Sequence, residues 1–581
     1  MKKNILYSLF ISLLLLSGLS TNICKAEQRV IERLYVATDR GAYIAGEALW
    51  LSVYCFDISN NRDILSDLSN VAYIEIHSSG GVAITTKIAL NGGRGSGRLV
   101  LPPTMPTGNY RLIGYTKQML NEEKAVCFDK VISIYNTLTS DRVPKNVEVK
   151  EESREENAIE SNSVNTINST NKNIVTLKFG ENEKTIPRNS PFPFSIINNS
   201  KESVTLNISV VKVDSIPSPA SPELSDYLSL CRSKAGDVNF VNRYTPEYEG
   251  EIINGRVIYG GADIITEKIA FLSAANGESD IYTSPIDSNG NITFYTNSIF
   301  GDREIVLEVP KTDSNSKILF EIFDPFVKPE VQPIPKLYLN RRIERSLSER
   351  SVEMQVGRRF GSDTLFEKIQ IKRDPLLIIK PIIYLLDDYT RFPLMQEVVA
   401  EYISELRFRK TDGKTDLQVR WENAFMSLTY SRENTLVLID GVPVFDHKRV
   451  LDYDPLKVKS LSIYGSEFLV GVTSFAGIVS LKTYKGNYPG LTFGRNVRIM
   501  DYQGVQYPCR FTAEELVSGS KMPDLRSTLY CDPQIDISAG EKREITVHTP
   551  SYPGRFVITL EGITADGTPF SFSTGFSVDN K

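Results

Sequence analysis

The sequence predicts a multi-domain, mainly β protein in which serial β-sandwiches are accompanied by one small α+β unit. Three observations carry this. Apolar residues alternate with polar ones at period two in many short runs, as in Val204-Thr-Leu-Asn-Ile-Ser-Val-Val-Lys-Val213. The 27 Tyr, 27 Phe and 37 Gly suit short strands joined by turns. One segment, from about Asp387 to Tyr488, instead places a helical apolar pattern ahead of strands. At 581 residues, the length suggests about four domains.

The N-terminus reads as an export signal over residues 1–26. Lys2 and Lys3 precede an apolar run from Ile5 to Leu16, which gives way to Cys24-Lys25-Ala26. Cleavage is expected after Ala26. A lipoprotein reading would acylate Cys24, but Ile23 stands where that processing favours a small side chain. Losing the leader removes three of the 66 basic residues (Lys2, Lys3, Lys25), leaving 63 against 71 acidic ones, a net charge of −8. That balance argues against a nucleic-acid partner. No later run reaches the roughly 20 apolar residues of a membrane-spanning helix, so no transmembrane segment is expected in the mature chain.

The first β-sandwich is expected over 30–137. Strand Leu34–Ala37 leads into the turn Thr38-Asp39-Arg40-Gly41-Ala-Tyr43-Ile-Ala-Gly46-Glu47 and strand Leu49–Tyr54; Leu99–Pro103 and Pro106-Thr-Gly108-Asn-Tyr110 close the pattern. These residues resemble the macroglobulin-type sandwich of α2-macroglobulin-like proteins, with its "DR..Y..GE" turn and "LP…P.G.Y.L" hairpin. The resemblance implies structural roles: turn conformations at Gly46 and Gly108, and Tyr43 and Tyr110 packed at sheet ends. Gly92-Gly93-Arg94-Gly95-Ser96-Gly97 lacks the Gly-Lys-Ser/Thr ending of a phosphate loop and reads as a hairpin.

A disordered linker is expected over 138–172, where Glu151, Glu152, Glu155 and Glu156 crowd together. A second sandwich-like domain follows over 173–235. A third, over 244–328, resembles carboxypeptidase-regulatory or Ig-like modules in its runs Ile252–Val257, Ile286–Phe294 and Glu304–Val309. Asp287-Ser-Asn-Gly290 lacks the other ligands of a calcium loop and reads as a turn. A charged connector, with a helix, spans 329–375.

Within 376–488, Thr390 is placed to cap a helix with Pro393 in its first turn; Leu394, Val398, Tyr402 and Leu406 fall on one face and Glu397, Glu401 and Glu405 on another. Strand Leu436–Ile439 ends at the turn Asp440-Gly441-Val442-Pro443, and Val458–Tyr464 and Ile478–Tyr484 add strands. The "LIDGVP" and "GIVSLKT" elements resemble the plug domain of TonB-dependent outer-membrane receptors. Such a receptor closes a barrel of strands of about 9–11 residues each, whereas 95 residues follow Gly486. The resemblance therefore implies a plug-like module without a barrel. It implies that Asp440, Gly441, Val442 and Pro443 organise a turn, with docking through them and through the loop Tyr464–Phe475 as the alternative to a spacer role. A last β-sandwich is expected over 489–581.

Five cysteines follow the leader. Cys55 with Cys127, and Cys509 with Cys531, could pair in an oxidising compartment and leave Cys231 alone; buried free thiols are the alternative. His77, His447 and His548 lie in three regions and no cysteine has metal-ligand spacing. No cofactor, metal or catalytic residue is expected, and the chain is read as not an enzyme. The expected function is a non-catalytic accessory protein of a Gram-negative envelope, periplasmic or outer-membrane-associated, binding an outer-membrane or envelope protein partner in support of TonB-type uptake or envelope assembly. The alternatives are a macroglobulin-like protease-binding protein, for which the Cys-x-Glu-Gln thioester is missing, and a hydrolase, for which no Gly-x-Ser-x-Gly or His-Glu-x-x-His occurs.

Overall fold

The computed structural model describes residues 30–579 except 60–62, 140–146, 150–169, 172, 180–184, 236–237, 261–267, 276–279, 311–316, 360–365, 370–379, 412, 423–427, 432–434 and 512–522. The export signal with Cys24, and Glu151, Glu152, Glu155 and Glu156 of the expected linker, lie outside the described residues. Among the described residues strand accounts for 51% against 12% helix, and the architecture is mainly β and multi-sheet, as the sequence predicts.

The first sandwich is a continuous strand path through two faces. Gly81–Asn91 pairs with Val71–Ser78 along most of its length and with Arg94–Val100 at Leu90 and Asn91, so one strand carries the sheet around the edge. Gly92 (φ 57°) and Gly93 (φ 70°) make that turn, the left-handed pair a two-residue hairpin requires. A side chain at Gly93 would fall within 2.9 Å of backbone atoms of Cys55 and Ser66, so glycine is demanded here by space as well as by φ. Gly46 (φ 99°) also turns the chain. Gly108 does not; it opens strand Gly108–Tyr115. Helix Leu224–Lys234 belongs to this unit, burying Leu224, Tyr227, Leu228 and Cys231 in its core, with Tyr227 packed edge-on to Phe128.

The expected separate sandwiches at 173–235 and 489–581 are one. Val204–Lys212 lies between Thr528–Ile537 and Gly554–Thr564, pairing with both. The facing sheet joins Val175–Phe179 and Pro191–Asn198 to Lys542–His548. Their common core interleaves Phe192, Ile196, Leu206 and Ile208 with Ile545, Phe556, Leu560 and Phe576. The alternating burial of Pro191–Asn198 and Val204–Lys212 is the period-two pattern of half-buried strands, and that pattern states which face is covered but not by what.

The inner sandwich is completed in the same way. Ile252–Gly260 sits between Asn291–Tyr295 and Lys317–Ile322, while Asp302–Glu308 pairs with Val497–Gln503, a strand that falls within the C-terminal sandwich expected over 489–581. The insertions are therefore nested: the split sandwich encloses the inner sandwich, which encloses the αβ unit. Asp287 Oδ1 accepts from the backbone N–H of Asn289 and Asn291, and Gly290 has φ 81°, so this segment is the expected hairpin turn.

The connector is ordered where described. Val147–Val149, within the stretch expected to be linker, pairs in parallel with Leu337–Leu339. Helix Glu344–Arg359 follows, and Phe366–Lys368 pairs with Cys509–Phe511.

Candidate functional site

In the αβ unit a mixed sheet runs in the order Ile382–Leu385, Val458–Tyr464, Ile478–Thr483, Leu436–Ile439, Val442–Pro443. Helix Met395–Tyr402 covers it through Met395, Val398 and Val399. Thr390 does not cap this helix: Pro393 precedes an extended Leu394, which is the N-cap and is exposed, and Leu406 has passed into a strand. Glu397, Glu401 and Glu405 do not converge on a cleft; Glu405 accepts hydrogen bonds from Tyr384 (2.5 Å) and Ser404 (2.7 Å).

Asp440 (φ 50°) and Gly441 (φ 85°) form the tight turn. The Asp440 carboxylate accepts three hydrogen bonds: from the Thr483 backbone N–H (2.8 Å), the Thr483 hydroxyl (2.6 Å) and the Tyr488 backbone N–H (2.6 Å). It ties the turn to the end of the neighbouring strand, the geometry of a turn organiser. Asp440, Gly441, Val442 and Pro443 are all buried.

The face that carries this turn is docked on the inner sandwich. Phe271 and Ile281 of that sandwich share an apolar cluster with Leu436, Leu438, Tyr464, Val470, Phe475 and Ile478. The Phe271 ring lies 4.7 Å from that of Phe445 and 6.3 Å from that of Phe475. The expected loop Tyr464–Phe475 is a short hairpin, Phe468–Val470 with Thr473–Phe475, whose turn closes on Thr283. Of the surface expected to engage an external partner, the Asp440–Pro443 turn is buried and Tyr464, Val470 and Phe475 face the inner sandwich, while Leu469 (73%) and Val472 (62%) of the hairpin remain exposed.

The opposite edge of the sheet is Ile382–Leu385. Among the described residues, Ile382–Leu385 pairs only with Val458–Tyr464. Ile382, Ile383 and Leu385 are 49%, 59% and 48% exposed, and Tyr389 and Tyr484 extend the patch. Sequence reasoning missed this edge, although the apolar run Ile382-Ile-Tyr-Leu-Leu386 was its signal.

A second constellation joins three units at the first sandwich's turn. Asp39 accepts from the Tyr43 hydroxyl (2.8 Å) and the Trp50 N–H (3.1 Å). Arg40 reaches the hydroxyls of Ser527 and Thr528 in the split sandwich. Glu47 accepts from the Ile44 N–H and, through both oxygens, from the buried Arg350 of helix Glu344–Arg359, which also donates to the Ala42 carbonyl and approaches Asp214. The motif residues act as an inter-domain latch.

All five described cysteines are free. The Cys55–Cys127 pairing does not form, because Cys55 sits beside Glu32 while Cys127 lies by the far strand Phe128–Tyr135, on the other face of the sandwich. Cys509 and Cys531 share an apolar cluster with Trp50 and Phe511 without bonding. Burial pushes the Cys509 thiol up to about 11 and that of Cys127 up to about 12, which leaves little thiolate for nucleophilic chemistry near neutrality. The histidines stay apart. His77 contacts Glu75 (2.8 Å), and buried His447 accepts from the Leu417 N–H at Nδ1 and donates from Nε2 to the Thr435 carbonyl, burial holding its pKa low. Among the described residues no group of three or more His, Cys, Asp and Glu could hold a metal ion, and no helix is long and apolar enough to cross a membrane.

No family model matches the sequence, and no curated protein does. Among solved structures, similarity is found to Escherichia coli α2-macroglobulin activated by porcine elastase (8% identity, 94% of this chain, 44% of that chain, TM-score 0.24). It is also found to Salmonella α2-macroglobulin reacted with methylamine (8%, 94%, 23%, 0.15) and to the Escherichia coli adhesin FdeC (11%, 50%, 64%, 0.14). The chain spans less than half the length of these macroglobulins. Scores of this size carry no argument about function, and the comparisons offer nothing for the plug resemblance.

Proposed function

We propose that the chain is a non-catalytic interaction protein of a bacterial envelope, periplasmic or outer-membrane-associated, whose stacked sandwiches hold a plug-like αβ unit in a fixed position. The export signal read at residues 1–26 supports the compartment. The observation that carries the binding role is the edge strand Ile382–Leu385, the far edge of a sheet whose other edge lies at the inner sandwich. An open edge offers unpaired backbone donors and acceptors, and apolar side chains on it are a liability unless something covers them. The occupant that fits is an extended segment of an envelope partner protein, added as a further strand. Docking passes from the Asp440 turn, which is buried, to this edge.

Ile383→Lys tests this. An exposed substitution should shift stability by no more than about 0.5 kcal/mol, while recovery of the partner from detergent-solubilised envelope should fall at least about tenfold, as expected when a charge enters an apolar contact worth ~1.4 kcal/mol or more. Equal recovery by wild type and Ile383→Lys, at matched stability, would remove the edge as the binding surface.

A further inference from the structure

Two glutamates lie buried where the inner sandwich meets the first. Glu247 and Glu251 are 1% and 2% exposed. Glu247 Oε1 accepts from the Tyr73 hydroxyl (2.8 Å) and the Ile252 N–H (2.9 Å). Its backbone carbonyl accepts from the Asn70 N–H (2.8 Å), and the Asn70 side chain donates to the next carbonyl, that of Tyr248 (2.7 Å). Glu251 Oε1 accepts from Lys87 Nζ (2.5 Å) and the Tyr502 hydroxyl (2.5 Å). The second oxygen of each carboxyl, Oε2, is buried without a hydrogen-bond partner.

Every strand around the pair contributes a polar group: Tyr73 from Val71–Ser78, Lys87 from Gly81–Asn91, and Tyr502 from Val497–Gln503. Lys87 Nζ is 4.3 Å from the centre of the Tyr502 ring. Lys117, beyond strand Gly108–Tyr115, lies over the rings of Tyr73 (4.5 Å) and Tyr244 (5.1 Å) and donates to the Pro325 carbonyl, with the charges of Glu247 and Glu251, and then Asp324 and Glu75, acting on it. Lys87 is engaged by Glu251, and no ammonium is in contact with Glu247.

We propose that Glu247 is a proton-operated catch between the first and inner sandwiches: protonated, it puts no negative charge of its own into the buried junction, and loss of the proton to solvent loosens the contact. An uncompensated carboxylate taken out of water is costly, and a proton on the orphaned oxygen removes that cost. Burial raises this carboxyl to about 7, neighbouring Glu251 adds to the effect, and the Ile252 and Tyr73 hydrogen bonds and Lys117 oppose it. Because the value is raised in the closed state, the junction is firmest in acid, weakens as pH climbs from the ordinary carboxyl range towards 7, and changes little above.

Hydrogen exchange on the full chain at pH 5.5 and 8.5, with labelling times scaled for the intrinsic chemical rate, reads the junction through peptides covering Asn70–Tyr73 and Glu247–Ile252. A carboxyl moving between its ordinary value and about 7 should cost the wild type about thirtyfold in protection between these pH values. Glu247→Gln, which keeps the shape without the charge, should show the same protection at both. Tyr73→Phe, which removes a donor to the carboxylate, should move the wild-type transition to higher pH. Unchanged protection in the wild type, or an equal loss in Glu247→Gln, would overturn the proposal. Should Glu247→Gln fail to fold, the direction of the Tyr73→Phe shift decides alone, and a transition left in place overturns it.

Discussion

Arg350→Ala should destabilise the protein by about 3–5 kcal/mol, the range for breaking a buried ion pair from one side. Arg350 is 2% exposed and answers both oxygens of Glu47, the Ala42 carbonyl and Asp214. Its removal leaves two carboxylates facing one another across a packed junction and detaches the helix from the turn it anchors. The loss comes from the charges left behind more than from the pair itself. A neighbouring arginine is the control: Arg345 pairs with Glu349 on the same helix but its side chain is 89% exposed, and Arg345→Ala should stay within about 0.5 kcal/mol. Equilibrium denaturation of both variants checks the contrast, and similar effects in the two would mean that Glu47 is not held by Arg350.

Phe271→Ala should cost a comparable amount, about 3–5 kcal/mol, because a buried aromatic ring is lost and the space cannot refill. Its consequence is more local. The ring stands between the inner sandwich and the αβ unit, against Phe445, Phe475 and Leu438. The variant should release the hairpin Phe468–Phe475 and melt the αβ unit ahead of the rest, so calorimetry should show a low-temperature shoulder. A single transition, shifted as a whole, would indicate that the two units do not unfold separately.

The strands were legible because period two survives in short windows: Leu436–Ile439, Val458–Tyr464 and Val204–Lys212 were each visible from alternation or from an apolar run before a turn signal. The turn at Asp440-Gly441 was legible because few residues adopt two successive left-handed conformations. What covers a strand was not legible. Val204 pairs with Ile537 and Thr564, and nothing in its own neighbourhood encodes a partner more than 300 residues away, so contiguous domains were drawn where the chain is nested. The same blindness placed the Asp440 turn on a surface, since Pro443 and Gly441 look alike whether or not Phe271 lies above them. The helix beginning at Met395 rather than near Thr390 has a local cause: Pro393 holds the residues before it out of the helix. The latch at Glu47 was visible as a motif, but its partner Arg350 was one arginine among many in a charged helix.

The nested arrangement is the central claim, and Leu560→Ala tests it most directly. Leu560 is fully buried opposite Ile208 in the split sandwich, and truncating it should remove about 2–5 kcal/mol from whatever unit contains it. Hydrogen exchange is then followed in two peptides, one covering Gly554–Thr564 and one covering Val204–Lys212. A single sandwich requires both to lose protection by the same factor. Loss confined to Gly554–Thr564, with Val204–Lys212 protected as in the wild type, would show two separate domains and contradict the architecture on which the proposed function rests.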